Sequence, residues 1–457
     1  MVHSSTPLIS LQAPKDVSIE DIEAELREIW QSYRNNEDGA SVTRATTFTL
    51  VVYEPEETQR LLAALDFYHG PIDGLTGPKT ISAIKAAQKF YEIEVTGHSN
   101  PQLLNKLQEA FEEAKTAGKL SQAEANAVSH YSQDLQGAGI ADAIAASNPC
   151  RIITLCPTVG DDQGVRAQVS AYCPIQKRSA RSLICCEYIT LQGTAEALER
   201  IAGIISALVI AELPTFLWWK ATPEPDYGLF KRLCHDSDAV IVDSSTFNHP
   251  EANLQLLAQL LEDGVKITDL NWSRLSPWQE LAAQAFDPPE RRAGIYEVDK
   301  VTIDYEKGNS TQALMYLGWL ASRLKWRPVS YQYQEDEGGN DIKHINLVSS
   351  DGKEINTELG GINLADWGNV LGDLLSLRLS STNLQADCCT VLCSETTGCM
   401  RMEAGGGAQA CRIQQVTPVN DLNTEILLGQ QLQTRGRDPL YLEAMKITHQ
   451  ILQLINS

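Results

Sequence analysis

The run Thr46–Tyr53, TTFTLVVY, is rich in β-branched and aromatic residues and has strand length, but it stops at Glu54-Pro55, and no comparable run follows until Arg151. Everything between is helical in pattern. From Pro149 onward strand and helix signals alternate: RIITLC, VRAQVSAYC and SLICCEYITL as strands, a helix over Thr194–Ala211, then strand TFLWWK, a short helix, strand DAVIVDSS and a helix from Glu251. Such alternation specifies an α/β sheet, so the helical stretch reads as an insertion at a loop of that sheet, where an insertion costs little. Ahead of the first strand, Ser18-Ile19-Glu20-Asp21 fits a capping box, and Ile22, Leu26, Ile29 and Tyr33 follow at helical spacing. A helix over Ser18–Tyr33 is expected, ended by the polar break Asn35–Gly39.

The fold class expected is α/β and α+β multidomain. Residues 1–55 supply the first helix and strand of the α/β domain, 56–110 a small three-helix module, 111–147 a helical connector and 148–289 the rest of the α/β domain. Asp287-Pro288-Pro289 reads as a linker to a mixed α+β domain over 290–457. That last part carries strand VDKVTIDY, a long helix Thr311–Trp326, strands around Val329, Ile342 and Leu375, a cysteine-rich segment and a closing helix Leu440–Leu454.

Within the insertion, Leu61, Leu62, Leu65 and Tyr68 share one helical face, as do Ile81, Ile84, Ala87 and Tyr91. Gly77-Pro78 and Asn100-Pro101 each place an N-cap residue before a proline whose φ already suits the first helical turn, the second starting a helix around Leu103, Leu104 and Leu107. Between the first two helices, His69-Gly70-Pro71-Ile72-Asp73-Gly74 provides glycines for a tight connection. These residues resemble the peptidoglycan-binding-like family, whose members bind cell-wall glycan. The chain, however, opens MVHSSTPLISLQAPKD, with no basic n-region and no apolar h-region. A cytoplasmic protein is expected, in which the module is a scaffold reused for protein contact.

With 457 residues, 43% of them hydrophobic, the chain can bury a large core. Its net charge of -22 repels phosphate backbones and anionic lipid, so neither nucleic acid nor membrane is an expected partner. Eleven cysteines diluted over this length, odd in number, read as mostly reduced thiols rather than a disulfide framework.

The sequence contains no P-loop, no G-x-G-x-x-G after a strand, no G-x-S-x-G and no H-E-x-x-H, so no catalytic residue, cofactor or metal is expected. Asp243-Ser244-Ser245 follows an α/β strand, where ligands often bind, with His235 and His249 nearby; a capped turn and surface histidines account for the same residues. Trp218-Trp219, and Trp272 with Arg274 and Trp278, fit either a partner-binding surface or core packing. Lys177-Arg178 and Arg181 form a basic island that suits an acidic partner or a solvated loop.

Among the cysteines, Cys388, Cys389, Cys393, Cys399 and Cys411 match neither zinc-ribbon nor ferredoxin spacing. Cys393-Ser394-Glu395-Thr396-Thr397-Gly398-Cys399 reads as a hairpin turn, which, centred on Thr396, sets Cys393 opposite Cys399. Cross-strand partners about 4.5 Å apart at Cα lie within disulfide reach with some strain, which makes such a bond easily reduced. A regulatory dithiol at Cys393 and Cys399 is one reading, with Gly405-Gly406-Gly407 leaving the segment room to change shape; ordinary reduced thiols are the other.

Taken in order, NPCRIITLCP, LPTFLWWK, DLNWSRLSPWQEL and GWLASRLKW resemble the OpcA glucose-6-phosphate dehydrogenase assembly protein family, and with the inserted module the likeness points to its cyanobacterial branch. The resemblance implies a non-catalytic protein that binds glucose-6-phosphate dehydrogenase, favours its active oligomer and raises its apparent substrate affinity. Joined to the dithiol reading, it makes thioredoxin an expected second partner. A glycan-binding protein and a sugar-phosphate enzyme on the α/β sheet are the alternatives.

Overall fold

The computed structural model describes residues 8–34, 41–44, 46–120, 149–174, 182–336, 338–363, 370–383, 385–394, 399–406, 412–418, 424–433 and 437–456. Packing gathers the described residues up to Val242, with 424–433, into one compact unit, and those from Asp243 onward, with the C-terminal helix, into a second. The sequence places a linker at Asp287-Pro288-Pro289. Packing places the break after Val242 instead, because Asp243, Ser244 and Ser245 hydrogen-bond to Asp269, Asn271, Arg274 and Asn309.

The first unit runs β1 (Leu8–Val17), α1 (Ile22–Arg34), β2 (Ser41–Arg44), β3 (Thr49–Tyr53), α2 (Glu57–Ala64), α3 (Pro78–Phe90), α4 (Pro101–Thr116), β4 (Arg151–Pro157), β5 (Arg166–Pro174), β6 (Ser182–Gly193), α5 (Ala195–Arg200), α6 (Ala202–Leu208), β7 (Thr215–Trp219), α7 (Gly228–Asp236) and β8 (Ala239–Val242). Its strand order is β1-β5-β6-β4-β3-β7-β8, with β2 beside β6. The stretch β6-β4-β3-β7-β8 is parallel throughout. All five residues of β3 are buried, as an apolar strand covered on both faces requires. β5 and β1 extend the sheet antiparallel. β1 has no counterpart in the sequence reading: LISLQAPKDV holds a proline and two charges, and one of two irregularities in its pairing, between Gln12 and Lys15, spans the proline.

Residues 54–149 leave the sheet at β3 and return at its neighbour β4, so the two strands pair although far apart in sequence. Leu61, Leu62, Tyr68, Ile84, Ala87, Leu103, Leu107 and Phe111 of α2, α3, α4 and their connections form one apolar cluster. Gly77 caps α3 in extended conformation with Pro78 following, and the Asn100 side chain accepts from the Leu103 N–H at 2.8 Å to start α4. The connector sequence 121–148 lies outside the described residues. On the sheet's other flank, Arg151 donates to Glu187 at 2.9 Å, to Glu23 of α1 at 2.5 Å and to the Leu208 carbonyl at 2.7 Å, tying α1 and α6 to β4 and β6.

The second unit contains α8 (Pro250–Glu262), β9 (Ile267–Asp269), α9 (Leu270–Ser273), α10 (Ser276–Phe286), β10 (Lys300–Glu306), α11 (Thr311–Leu324), β11 (Arg327–Glu335), β12 (Asp341–Val348), β13 (Glu354–Ile362), β14 (Leu374–Ser380), β15 (Asp387–Ser394), β16 (Cys399–Gly406) and β17 (Arg412–Pro418). After them α12 (Thr424–Gln433) belongs to the first unit, and α13 (Pro439–Gln453) closes the second. β10 to β17 form an eight-stranded sheet in the order β11-β12-β13-β10-β14-β15-β16-β17. Every pairing in it is antiparallel except β10 with β13.

Register divides this sheet into two faces. One row runs Lys343, Leu359, Ile303, Leu377, Val391 and Met402, each opposite the next and each buried. The adjacent row runs Gln332, His344, Glu358, Thr302, Arg378, Thr390 and Glu403, each of them exposed or half-exposed. Helices α11 and α13 pack together tightly at Gly318, where a Cβ would come within 2.6 Å of the Ala444 carbonyl oxygen.

Candidate functional site

Asp243, the sequence's leading candidate, sits at the mouth of a buried polar network inside the second unit. Its carboxylate caps the short turn Ser244–Thr246, accepting from the Ser245 N–H at 3.2 Å and from the Ser245 hydroxyl at 2.5 Å. Arg274 grips it with two bonds of 2.8 Å. Behind it, Asp269 Oδ1 accepts from the N–H groups of Ser244 and Asn271, at 3.0 and 2.9 Å. Asn271 donates to Ser244 Oγ and Thr311 Oγ1, while Asn309 donates to the carbonyls of Ser244 and Ser245. Gln312 bridges Asn271 Oδ1 and Asp373.

Electrostatics in this network separate the two carboxylates. Burial pushes Asp243 up, but the Arg274 charge and the bonds from Arg274 and Ser245 outweigh it and leave Asp243 below the usual carboxylate range. Burial and the neighbouring Asp243 charge raise Asp269 to about 6. Asp269 Oδ2 is buried with no hydrogen-bond partner among the described residues. The Ser245 hydroxyl is committed to Asp243, and the Ser244 hydroxyl accepts from Asn271. His235 is 89% exposed beside Asp236, and the His249 side chain makes no cap to α8. The capped-turn reading of Asp243-Ser244-Ser245 is the one the geometry supports.

A second place to seek ligands is the first unit's parallel sheet, where chain order reverses between β3 and β7, since open α/β sheets bind ligands beyond the strand ends at such a point. The ring of Tyr53, last residue of β3, stacks on that of Trp219, last of β7, with centroids 3.8 Å apart and planes 6° from parallel. Just beyond, Lys220 Nζ pairs with buried Glu54 at 2.6 Å and lies 4.9 Å from the Trp218 ring centre. Glu56 caps α2, accepting from the Gln59 N–H at 2.6 Å and from the Val159 N–H at 3.3 Å. It thus takes the position at a helix N-terminus where a bound phosphate would sit. Burial, partly offset by these bonds, raises Glu56 to about 7. Tyr53, Glu54, Glu56 and Trp219 at these strand ends are each at most 3% exposed.

The partner-binding reading of the tryptophans fails on burial. Trp218, Trp219, Trp272 and Trp278 are at most 6% exposed and belong to cores, with the Trp272 indole donating to Asp438 at 2.8 Å. Arg274 is likewise buried and committed to Asp243. The basic island Lys177-Arg178 and Arg181 lies outside the described residues. Among the described residues no group of three or more His, Cys, Asp or Glu is placed to hold a metal ion. Sequence reasoning missed Glu54, Glu56, Lys220 and Asp269; Glu56, just ahead of α2, was the legible one, as an acid at a cap position.

Cys393 and Cys399 are thiols and are not bonded to each other. The β15–β16 ladder sets Cys393 opposite Met400 and Ser394 opposite Cys399, so the two cysteines project from opposite faces of the sheet. A hairpin centred on Thr396 would have opposed them; the observed register is centred between Thr396 and Thr397, and that half-step separates them. Cys185 and Cys388 each take part in a disulfide, while Cys389 beside Cys388 is a buried thiol.

With this geometry in view, comparison with known proteins decides the family. Two models of the glucose-6-phosphate dehydrogenase subunit match: that of its N-terminal domain over residues 141–259, and that of its C-terminal domain over residues 265–445. A Synechocystis protein named "Putative OxPP cycle protein OpcA" is 60% identical over 448 residues, spanning 98% of this chain and 94% of its own. The chain belongs to the OpcA glucose-6-phosphate dehydrogenase assembly family. A Nostoc punctiforme OpcA of the same description is 55% identical and covers 100% of this chain and 97% of its own. A model of the peptidoglycan binding domain matches residues 53–107. Among solved structures, KijD10, a 3-ketoreductase from Actinomadura kijaniata, aligns at 11% identity and TM-score 0.38 over 58% of this chain and 81% of its own. Biliverdin reductase from Synechocystis aligns at 10% identity and TM-score 0.35, over 57% and 84%. No described helix is long and apolar enough to cross a membrane.

Proposed function

We propose that this chain is a non-catalytic assembly factor that binds glucose-6-phosphate dehydrogenase, stabilises its active oligomer and raises its apparent affinity for glucose 6-phosphate in the oxidative pentose phosphate pathway. The carrying observation is the match to OpcA relatives along nearly the whole chain. A role without catalysis accords with the burial of Tyr53, Glu56 and Trp219 at the strand ends where doubly wound sheets commonly bind ligands. An activator works by binding the active form of its enzyme more tightly than the inactive form, because equal affinity for both shifts nothing. The test is dehydrogenase activity at limiting glucose 6-phosphate with and without this chain. A lowered apparent KM supports the reading, and an unchanged one contradicts it.

Redox control through Cys393 and Cys399, with thioredoxin as reductant, is the finer part of the proposal. Oxidation removes two electrons and two protons from the thiols, which pass to the oxidant, and joins the sulfurs; thioredoxin returns both. Because the two residues occupy opposite faces, closing the bond requires β15 and β16 to slip by one residue, and such a slip turns a strand's side chains over. Bond formation is thereby coupled to the shape of the sheet's outer strands, with the oxidised form the stronger activator.

A second reading has its own observation. The module's Phe67, Phe90 and Tyr91 rings lie 5.0–5.9 Å from one another, and Phe90 is 69% exposed, an arrangement on which a sugar ring can stack. Sedimentation with purified wall material tests glycan binding; a chain left in the supernatant rules it out.

A further inference from the structure

The three-helix module is joined to the parallel sheet by more than its two chain crossings. Val159, just past β4, is buried in the apolar cluster of α2, α3 and α4. The Tyr53 hydroxyl at the end of β3 donates to the Asp73 carbonyl at 3.0 Å, and the Thr222 N–H beyond β7 donates to the Ile72 carbonyl at 2.9 Å. Gly74 has φ +80°, and a Cβ there would lie 2.7 Å from Pro157 and 2.9 Å from the Tyr53 hydroxyl, so the α2–α3 connection lies directly against the strand ends.

One carboxyl group closes this junction from within. Glu56 accepts from the Val159 N–H on the sheet side and from the Gln59 N–H on the module side. The buried Gln59 side chain in turn holds the connection, accepting from the N–H groups of Asp73 and Gly74 and donating to the Leu75 carbonyl. Because the Asp73 carbonyl meets Tyr53, the bonds run from the end of β4 through Glu56, Gln59 and Asp73 to the end of β3. Among the described residues no cation pairs with Glu56, and Lys220 just beyond β7 is engaged by Glu54. The other ionisable groups around this corner are Asp73 and Tyr68 from the connection, Tyr53 from β3, Tyr227 ahead of α7, Glu57 and Arg60 on α2, and Asp161 and Asp162 beyond Val159, the last paired with Arg200. Burial pushes the three tyrosines up, so they carry no charge near neutrality, and it raises Asp73 as well.

We propose that Glu56 is a proton-operated clamp: with its proton it locks the module onto the strand ends, and loss of that proton lets the module part from the sheet. A neutral carboxyl rests in a dry corner at little cost, whereas a carboxylate there has lost its water and gains no counter-ion. Burial, which raises Glu56 to about 7, fixes the sign. The clamp is firmest below about pH 4.3, where the unfolded chain holds the proton too; it weakens as pH climbs towards 7, and above that this contribution is gone. Parting at the junction admits water to Glu56 and relieves the charge, so each pH unit between 5 and 7 shifts the opening equilibrium by up to about tenfold.

Hydrogen exchange on the full chain tests the clamp, read by mass spectrometry in peptides that contain Val159 and Thr222, whose N–H groups span the junction. Rates are compared at pH 5 and pH 8 after correction for intrinsic exchange, with thermal melting as the check on folding. These amides of the unaltered chain are expected to open at least tenfold more at pH 8. In Glu56→Gln, which keeps an acceptor and carries no charge at either pH, the two values are expected to agree within threefold. Asp73→Asn is expected to retain the tenfold difference. A second reading needs no variant: in the unaltered chain, corrected exchange is expected to climb from pH 5 and level off above about 7. A flat profile overturns the clamp, as does a tenfold difference that survives in E56Q or disappears in D73N.

Discussion

Arg274 holds Asp243 by both carboxylate oxygens, Nη1 to Oδ1 and Nη2 to Oδ2, each at 2.8 Å, with both side chains at most 10% exposed. A buried ion pair of this geometry fixes conformation more than it adds net stability, yet removing one member strands the other's charge. Arg274→Met is therefore expected to destabilise the second unit by about 3–5 kcal/mol. Asp243→Asn with Arg274→Met together costs less than the single arginine change. Urea unfolding followed by tryptophan fluorescence measures both, and equal losses would contradict the pairing.

Asp269 gives the fold a pH dependence whose sign follows from its raised pKa. In the unfolded chain it titrates near 3.9, in the fold at about 6, so the fold holds the proton more firmly between those values. This contribution is fully present below pH 4, fades as pH rises through 6, and is absent above. Asp269→Asn, which stands in for the protonated form, is expected to gain about 1–2 kcal/mol on the unaltered chain between pH 5 and pH 8. Parallel denaturation curves at the two pH values check this, and a variant less stable at pH 8 than at pH 5, relative to the unaltered chain, would contradict it.

Close approach of α11 and α13 depends on Gly318 having no side chain. Gly318→Ala forces a methyl against the Ala444 carbonyl and the Thr448 side chain, at an expected cost of about 1–3 kcal/mol. Gly429→Ala, at a site where a Cβ meets nothing within 4 Å, is the matched helical comparison and is expected to be neutral or mildly stabilising. Melting temperatures of the pair decide the point.

Redox sensitivity has a distinct signature. Cys393→Ser and Cys399→Ser are each expected to abolish the difference in dehydrogenase activation between oxidising and thioredoxin-reduced chain. Cys389→Ser, a buried thiol one strand position from Cys388, is expected to preserve it. Activation assays after each treatment test this; a redox difference that survives in C393S excludes the proposed pair.

Periodicity and caps made much of the fold legible. The helix ending at Arg34, the buried strand Thr49–Tyr53, the caps at Gly77 and Asn100, and the strand–helix alternation after Pro149 all follow local patterns. Tertiary pairing was not legible. β1 is a strand only because β5 offers a partner, and Cys393 and Cys399 part because register is set along the whole hairpin rather than at its turn. Tryptophan pairs suggested a surface, yet Trp219 is taken up by Tyr53, a residue distant in sequence and adjacent across the sheet. The unit boundary at Val242 escaped for the same reason, since Asp243 is bound to the second unit by Arg274, and the serines after it by Asn309, rather than by any local signal.

The central claim is association with the dehydrogenase, and light scattering on a size-exclusion column tests it most directly, using the chain mixed with its cognate glucose-6-phosphate dehydrogenase against each protein alone. The account predicts a new species whose mass equals a dehydrogenase oligomer plus this chain, carrying enzyme activity raised at limiting glucose 6-phosphate. Two peaks at the masses of the separate proteins, in both oxidised and reduced buffer, would contradict it.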